Sequence, residues 1–196
     1  MNTKTFLITM ATMFFLTFST AQAQQSPEEF VVSLMGQASG LKHLQDKQHQ
    51  DDALLYLVRQ SFDIPTVGKF VLGRYWRNAT SIQRAEFLEV FELAAVRAFS
   101  PLLKDIPLDT FKIIRVEYKH DTDIRVFSII EPKKGSSIKI QWRLRLAYGV
   151  SPYKIIDITA EGVSLVVTLR SEYTTYIKRN GGVDGLIAIL RKRLEK

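Results

Sequence analysis

The sequence predicts an α+β protein: a curved antiparallel sheet of at least four strands with helices packed on one face. Apolar residues recur at helical spacing near both ends of the chain, and they alternate with polar residues over much of the stretch 111–160 between them. The chain has 196 residues, of which 46% are hydrophobic and 24% charged, a composition typical of a globular domain rather than a disordered one. The order of helices, sheet and helices therefore predicts one α+β domain.

The first 23 residues are predicted to be a signal peptide. Lys4 supplies a short positive region, Phe6–Phe18 forms an apolar run, and Ala21–Ala23 has the small-x-small pattern that signal peptidase recognises. The run is short for a membrane span, which favours cleavage after Ala23 over an uncleaved anchor. We therefore expect residues 24–196 to be one exported domain in the periplasm, where a cysteine-free chain needs no oxidation step to fold.

Helices are predicted before the sheet from their capping residues. Ser26–Glu29 combines an N-cap serine, a proline in the first turn and a capping-box glutamate. A second helix follows the polar stretch 45–52. A third is expected to start at Pro65, which is tolerated only in a first turn, and to run to Tyr75 and Trp76.

A long helix is predicted from Ser81, after the capping box Thr80–Gln83, to Phe99. Its main apolar stripe comprises Phe87, Phe91, Ala94, Ala95 and Ala98. Three further apolar residues lie well off this stripe: Val90, Leu93 and Val96. A helix that is apolar on two faces is either deeply buried or lines a cavity.

Strands are predicted from Phe111 to Ala160. In the third strand, one face carries Ile138, Ile140, Trp142, Leu144 and Leu146, and the other carries Lys139, Gln141, Arg143 and Arg145. In the first strand, Ile114, Val116 and Tyr118 alternate with Arg115, Glu117 and Lys119, which predicts that the three apolar residues share one face. Alternation of this kind predicts an antiparallel sheet with one dry face and one wet, basic face.

Two helices are predicted after the sheet. The first begins at Ser164 and presents an apolar stripe over Leu165–Ile177, and the break at Asn180–Gly182 separates it from a last helix that ends near Leu194. The apolar stripe, the dry strand face and the long helix are the candidate walls of an interior.

Composition and motifs favour binding over chemistry. The chain has no cysteine, and its three histidines show no metal-ligand spacing, so we expect no metal and no cofactor. No serine lies in a G-x-S-x-G setting, and the sequence offers no catalytic residues. The net charge of +7 favours an acidic partner or an anionic lipid surface, although a solvated basic face explains it as well. Nucleic acid is not expected, because the basic strand face lacks aromatic residues for base stacking.

Three ordered segments resemble the MlaC-like periplasmic lipid carriers, also called the toluene-tolerance family, which are auxiliary components of an ABC transporter. The first segment is Leu72–Arg77, continued by Ala79, Thr80, Gln83, Arg84 and Phe87. The second is Glu161–Val166, continued by Arg170–Tyr173, and the third is Gly181–Ile187. The three keep the family's order and spacing over nearly all of the chain that follows the leader.

The resemblance implies a soluble carrier with a sheet-backed apolar pocket of the cystatin/NTF2-like kind. Such a carrier holds a phospholipid by its tails and exchanges it between an outer-membrane lipoprotein complex and an inner-membrane ABC transporter complex, which maintains outer-membrane lipid asymmetry. A hopanoid-associated branch of the family makes a hopanoid or another apolar lipid the alternative cargo. The expected lipid-binding residues are Ile140, Trp142 and Leu144 on the sheet and Val71, Tyr75, Phe91, Val166 and Leu169 on the helices.

Other interpretations of the same residues remain open at this point. The apolar residues can equally form a solid core. An enzyme on an NTF2-like scaffold would need polar groups pointing into its pocket, and the inward strand positions named above are all apolar. A subunit permanently docked on a transporter is the third alternative.

Overall fold

The computed structural model describes residues 25–101, 110–120, 122–132, 135–147, 152–179 and 181–195; the predicted signal peptide, residues 1–23, lies outside these ranges. The helices are α1 (Pro27–Gly40), α2 (Lys47–Ser61), α3 (Ile64–Leu72), α4 (Arg74–Asn78), α5 (Ser81–Phe99), α6 (Leu165–Arg179) and α7 (Gly182–Leu194), and a 3₁₀ turn spans Leu41–His43. The strands are β1 (Phe111–His120), β2 (Asp123–Ile130), β3 (Ile138–Leu146), β4 (Tyr153–Ala160) and β5 (Val163–Ser164). No helix in the described ranges is long and apolar enough to cross a membrane.

The five strands form one antiparallel sheet in the order β1-β2-β3-β4-β5, which confirms the predicted fold class. Irregular register in β1 at Ile114 and in β4 at Ile156 inserts extra residues into these strands, and such bulges bend a sheet. The prediction that Ile114 shares a face with Val116 is wrong. The bulge shifts the alternation, so that Ile113 lies opposite the buried Ser128 and Ile114 is 57% exposed.

The dry face of the sheet packs against α1 and α2. A core cluster joins Phe30, Val31 and Leu34 of α1 to the inward residues of β2, β3 and β4. The ring of Phe30 lies 5.8 Å from that of Tyr153 at the start of β4. Helices on one face of the sheet were predicted; α1 and α2 lie on that face, and α6 packs beside β4.

The remaining long helices form a second core of their own, which periodicity did not predict. Helices α3, α5, α6 and α7 contribute to one cluster of buried residues that contains no strand residue. In its centre the rings of Phe87 and Phe91 stack at 5.4 Å, and Tyr173 of α6 meets both edge-on. The molecule therefore has two main cores, a sheet core and a helical core, and a small third cluster of Leu54, Val58 and Val96 joins α2 to α5.

The single helix predicted from Pro65 to Tyr75 and Trp76 is two helices in the structure. Gly73 separates α3 from α4 with φ of 56° and ψ of −123°, a conformation that a residue with a side chain rarely adopts. The guanidinium of Arg170 lies 2.9 Å from where a Cβ of Gly73 would be, but this flexible side chain can move aside, so it is the torsion that requires glycine. This break turns the chain back toward α5.

The two cores meet along the edge of β4. Phe62, just before α3, forms a parallel bridge with Ile155, and β5 pairs with the other end of β4 at Thr159 and Ala160. The ammonium of Lys154 donates to the carbonyls of Arg59 and Gln60 at 2.9 and 2.6 Å. The stretch of β4 between these contacts faces the junction of the two halves.

Ion pairs neutralise part of the basic outer face of the sheet. Arg143 makes two 3.0 Å hydrogen bonds to Asp123, and Arg145 lies 3.3 Å from the carboxylate of Asp63. The hydrogen bonds from Arg143 hold the pKa of Asp123 below its usual range. These pairs explain Arg143 and Arg145 without an external partner.

Candidate functional site

Two apolar cavities lie at the junction of the two cores. The helical cavity, with a volume of about 490 Å³, is enclosed by α5, α6, α7 and the middle of β4. The sheet cavity, with a volume of about 530 Å³, lies between the dry face of the sheet and helices α1, α2 and α6. Both fall within the 300–1,000 Å³ range of ligand sites.

A thin apolar partition separates the two cavities. Five residues border both of them: Val58, Phe62, Phe99, Ile158 and Leu165. The rings of Phe62 and Phe99 stack with their centroids 6.2 Å apart at an angle of 29°. Because the same five residues border both cavities, the cavities form adjoining compartments of one interior.

The helical cavity exists because α5 presents small side chains there. Ala94, Ala95 and Ala98 border it, and none of the three is fully buried. Alanine side chains are too short to fill the gap to α6 and α7. Space therefore remains at a part of the apolar stripe of α5 that would otherwise be packed. The sequence signal was the run of alanines at helical spacing on a helix that otherwise presents phenylalanine.

Polar groups occur at the helical cavity, and two of them have structural explanations. Asp157 of β4 accepts hydrogen bonds from the hydroxyl of Ser164 at 2.7 Å and from the backbone N–H of Val166 at 3.2 Å, so it caps α6. Tyr173 is only 4% exposed, and burial raises its pKa to about 12. Neither group is arranged as a base or nucleophile at neutral pH.

The sheet cavity is lined almost entirely by carbon. Its wall on β3 comprises Ile138, Ile140 and Trp142, and Thr168 of α6 is the polar residue of the lining. The indole N–H of Trp142 donates to the hydroxyl of Ser128 at 2.9 Å. This bond satisfies the polar atom of the indole away from the cavity and leaves carbon to face the interior.

Both cavities reach the surface along α6. Thr168 borders the sheet cavity and Glu172 borders the helical cavity, and both residues are exposed. Residues four apart on a helix are neighbours on one face. An exposed residue of α6 therefore borders each compartment, and the two residues lie about one helical turn apart.

The structure places five of the predicted site residues at these cavities and three elsewhere. Phe91, Val166 and Leu169 border the helical cavity, and Ile140 and Trp142 border the sheet cavity. Val71 and Leu144 are fully buried in the helical core and the sheet core, and Tyr75 packs at the edge of the helical core with its hydroxyl accepting from Arg74 at 3.0 Å.

Residues of the partition and of α1 were missing from the predicted set. Phe62, Phe99 and Ile158 border both cavities, and Leu34 and Met35 of α1 border the sheet cavity. The periodicity of α1 indicated a buried face but not what the face would meet. Phe62 lies outside any periodic element, so no pattern marked it.

The described residues contain no cluster of three or more His, Asp or Glu side chains that could hold a metal ion. What the arrangement can do is shield a long apolar ligand from water. The fold and the cavities define the class: an α+β binding protein with a divided apolar interior.

Comparison with known proteins assigns the family. The family model described as MlaC protein matches residues 29–192, and the chain belongs to this family, as the three sequence segments predicted. The solved structure of the phospholipid-binding protein from Ralstonia solanacearum, in complex with a phospholipid, is similar with a TM-score of 0.70 and 21% sequence identity. The match covers 88% of this chain and 98% of that one, and it establishes the shared fold.

Proposed function

We propose that the protein is a periplasmic phospholipid carrier that holds one acyl chain in the helical cavity and the other in the sheet cavity. Residues 1–23 serve as the signal peptide, and residues 24–196 form the carrier domain. The observation that carries the proposal is the pair of adjoining apolar cavities, of about 490 and 530 Å³, each bordered by an exposed residue of α6.

The volumes suit two acyl chains. A methylene group occupies roughly the 30 Å³ that a water molecule takes up in the liquid. On that basis the cavities accommodate roughly 16 and 18 methylenes, about one chain of a membrane phospholipid each. Phe62 and Phe99 in the partition would keep the chains apart.

The energetics match transfer between membranes. Burying a methylene contributes about 0.8 kcal/mol, so two chains of some 30 methylenes gain roughly 24 kcal/mol on leaving water. A bilayer offers nearly the same gain. The carrier therefore need not bind much more tightly than a membrane; it removes the exposure of the chains to water on the way.

The family and the phospholipid complex of the Ralstonia solanacearum protein support a binding protein rather than an enzyme. We propose that Phe91, Val166 and Leu169 contact one chain and Ile140 and Trp142 the other. Val71, Tyr75 and Leu144 then contribute indirectly, because they belong to the cores that support the cavity walls. The exchange partners we propose are an inner-membrane ABC transporter complex and an outer-membrane lipoprotein complex.

The test is extraction of the protein, purified from the periplasmic fraction, with organic solvent, followed by mass spectrometry. We expect one two-chain phospholipid per protein molecule. A hopanoid bound in stoichiometric amount would support the carrier function but identify a different cargo. Absence of lipid from protein that also takes none up from phospholipid vesicles would overturn the proposal, and turnover of a small substrate that is lost in Trp142→Ala would favour an enzyme.

A further inference from the structure

Three charged side chains at the helical cavity have no role in the packing described above. They are Arg97 at the end of α5, Glu172 on α6 and Arg193 at the end of α7. All three are exposed, although the rest of the cavity wall is mostly apolar. They therefore lie at the rim, where an apolar ligand that fills the cavity would present its polar end.

Arg97 is held in place by backbone rather than by a carboxylate. Its Nη1 donates to the carbonyl oxygen of Leu194 at 3.0 Å, close to the end of α7. Asp51 lies near enough to Arg97 for its pKa to be affected, but its carboxylate already accepts from Lys47 and from the hydroxyl of Ser100. One N–H of the guanidinium is thus used, and no described acidic residue forms an ion pair with it.

Arg193 is held similarly, by an aromatic residue. Its Nη2 donates to the hydroxyl of Tyr176, and its guanidinium lies 5.1 Å from the centroid of that ring. Arg191, two residues earlier on α7, lies 3.2 Å from the carboxylate of Glu86 and does not border the cavity. Arg191, which does not border the cavity, is therefore paired with an acid, whereas Arg193 at the cavity has no acidic partner among the described residues.

We propose that Arg97 and Arg193 together bind the phosphate of the lipid whose chain occupies the helical cavity. The inference rests on the proposed function and adds a headgroup site to it. Both arginines border the helical cavity, and the hydrogen bond from Arg97 to the carbonyl of Leu194 places the Arg97 guanidinium at the end of α7 that carries Arg193. A guanidinium offers five N–H donors in a planar fork that suits phosphate oxygens, so each arginine keeps donors for the ligand after its fixing bond.

Glu172 affects which headgroup charge is favoured at the rim of the helical cavity. It borders the same cavity, and its negative charge acts on Tyr173 together with the positive charge of Arg193. Two arginines and one glutamate favour a headgroup with a phosphate and a nearby ammonium over one with two negative charges. The ligand class is therefore a zwitterionic glycerophospholipid.

The experiment compares two lipids that differ only in the headgroup. Delipidated protein is equilibrated with phosphatidylcholine vesicles that contain equal small amounts of phosphatidylethanolamine and diacylglycerol with identical acyl chains, and the bound ratio of these two lipids is measured by mass spectrometry. We expect Arg97→Gln/Arg193→Gln to lower the ratio of phosphatidylethanolamine to diacylglycerol by at least about 10-fold, since the loss of even one charge-assisted hydrogen bond has an effect of that size. The matched control Arg191→Gln leaves the ratio unchanged.

A ratio that is the same in the double variant and the native protein overturns the headgroup site. Because the measurement is a ratio, a smaller folded fraction does not alter it, and each single Arg→Gln variant serves if the double variant does not fold. Glu172→Gln adds a second readout: it increases uptake of phosphatidylglycerol relative to phosphatidylethanolamine. If the native protein takes up neither phospholipid nor diacylglycerol, the carrier function itself fails, which is a different result.

Discussion

A larger side chain at position 94 shortens the chain that the helical cavity can hold. Ala94 lies on the cavity wall of α5, and Ala94→Phe places a benzene ring in that space. A ring of this kind fills a cavity of about 150 Å³. The volume of about 490 Å³ therefore falls by roughly a third, which corresponds to about five methylenes.

The magnitude follows from the burial of those methylenes. At about 0.8 kcal/mol each, five displaced methylenes cost about 4 kcal/mol for a long chain and nothing for a chain that is five carbons shorter. The assay equilibrates delipidated protein with vesicles of phosphatidylcholines whose second chain varies in length, and mass spectrometry reads the bound distribution. We expect the preferred second chain to shorten by about five carbons in the variant.

A substitution on the outside of the same helix is the control. Ile82 is 69% exposed on α5, so Ile82→Phe adds an aromatic ring without entering the cavity and leaves the distribution unchanged. An unchanged chain-length distribution in folded Ala94→Phe would refute the assignment of this cavity to an acyl chain.

Three further predictions concern stability. Gly68→Ala places a Cβ 2.5 Å from a leucine side chain of α5 and should destabilise the fold by about 1–3 kcal/mol in urea unfolding, whereas Gly36→Ala, with open space around it, should stabilise α1 by about 0.5–1 kcal/mol. Ser128→Ala leaves the buried indole N–H at the wall of the sheet cavity without its acceptor, and should lower the unfolding free energy by about 1–3 kcal/mol. Arg143→Gln removes the partner that lowers the pKa of Asp123 below its ordinary value of 3.8. The stabilisation from this pair is present above that value and is lost as the pH falls through the lower pKa of folded Asp123. The melting temperatures of the variant and the native protein should therefore differ at pH 7 and converge in strong acid.

Local patterns predicted most helix starts and the sheet, because the interactions involved are local. The capping boxes at Ser26 and Thr80 form as predicted, with side chain and backbone exchanging hydrogen bonds over three residues. The helix across Gly73 and the orientation of Ile114 were predicted wrongly. In both cases a single residue departs from the regular repeat, through a positive φ or a bulge, and periodicity assumes that the repeat continues.

The predicted site residues show what sequence patterns do not determine, namely which residues of a buried face border a cavity. Ile140, Trp142 and Leu144 alternate on β3 and share the dry face, but Ile140 and Trp142 border the sheet cavity, whereas Leu144 is fully buried in the sheet core. Alternation identifies the face of a strand. It carries no information on which neighbouring element covers each point of that face.

The amino-acid order alone was enough to specify most of the helices, the two faces of β3 and the family to which the chain belongs. Folding in three dimensions decided that the apolar residues form two cores with a divided cavity between them, instead of one solid interior. The reason is that a sequence pattern shows which side chains leave water, whereas only the positions of all the walls together fix how much volume those side chains leave unfilled.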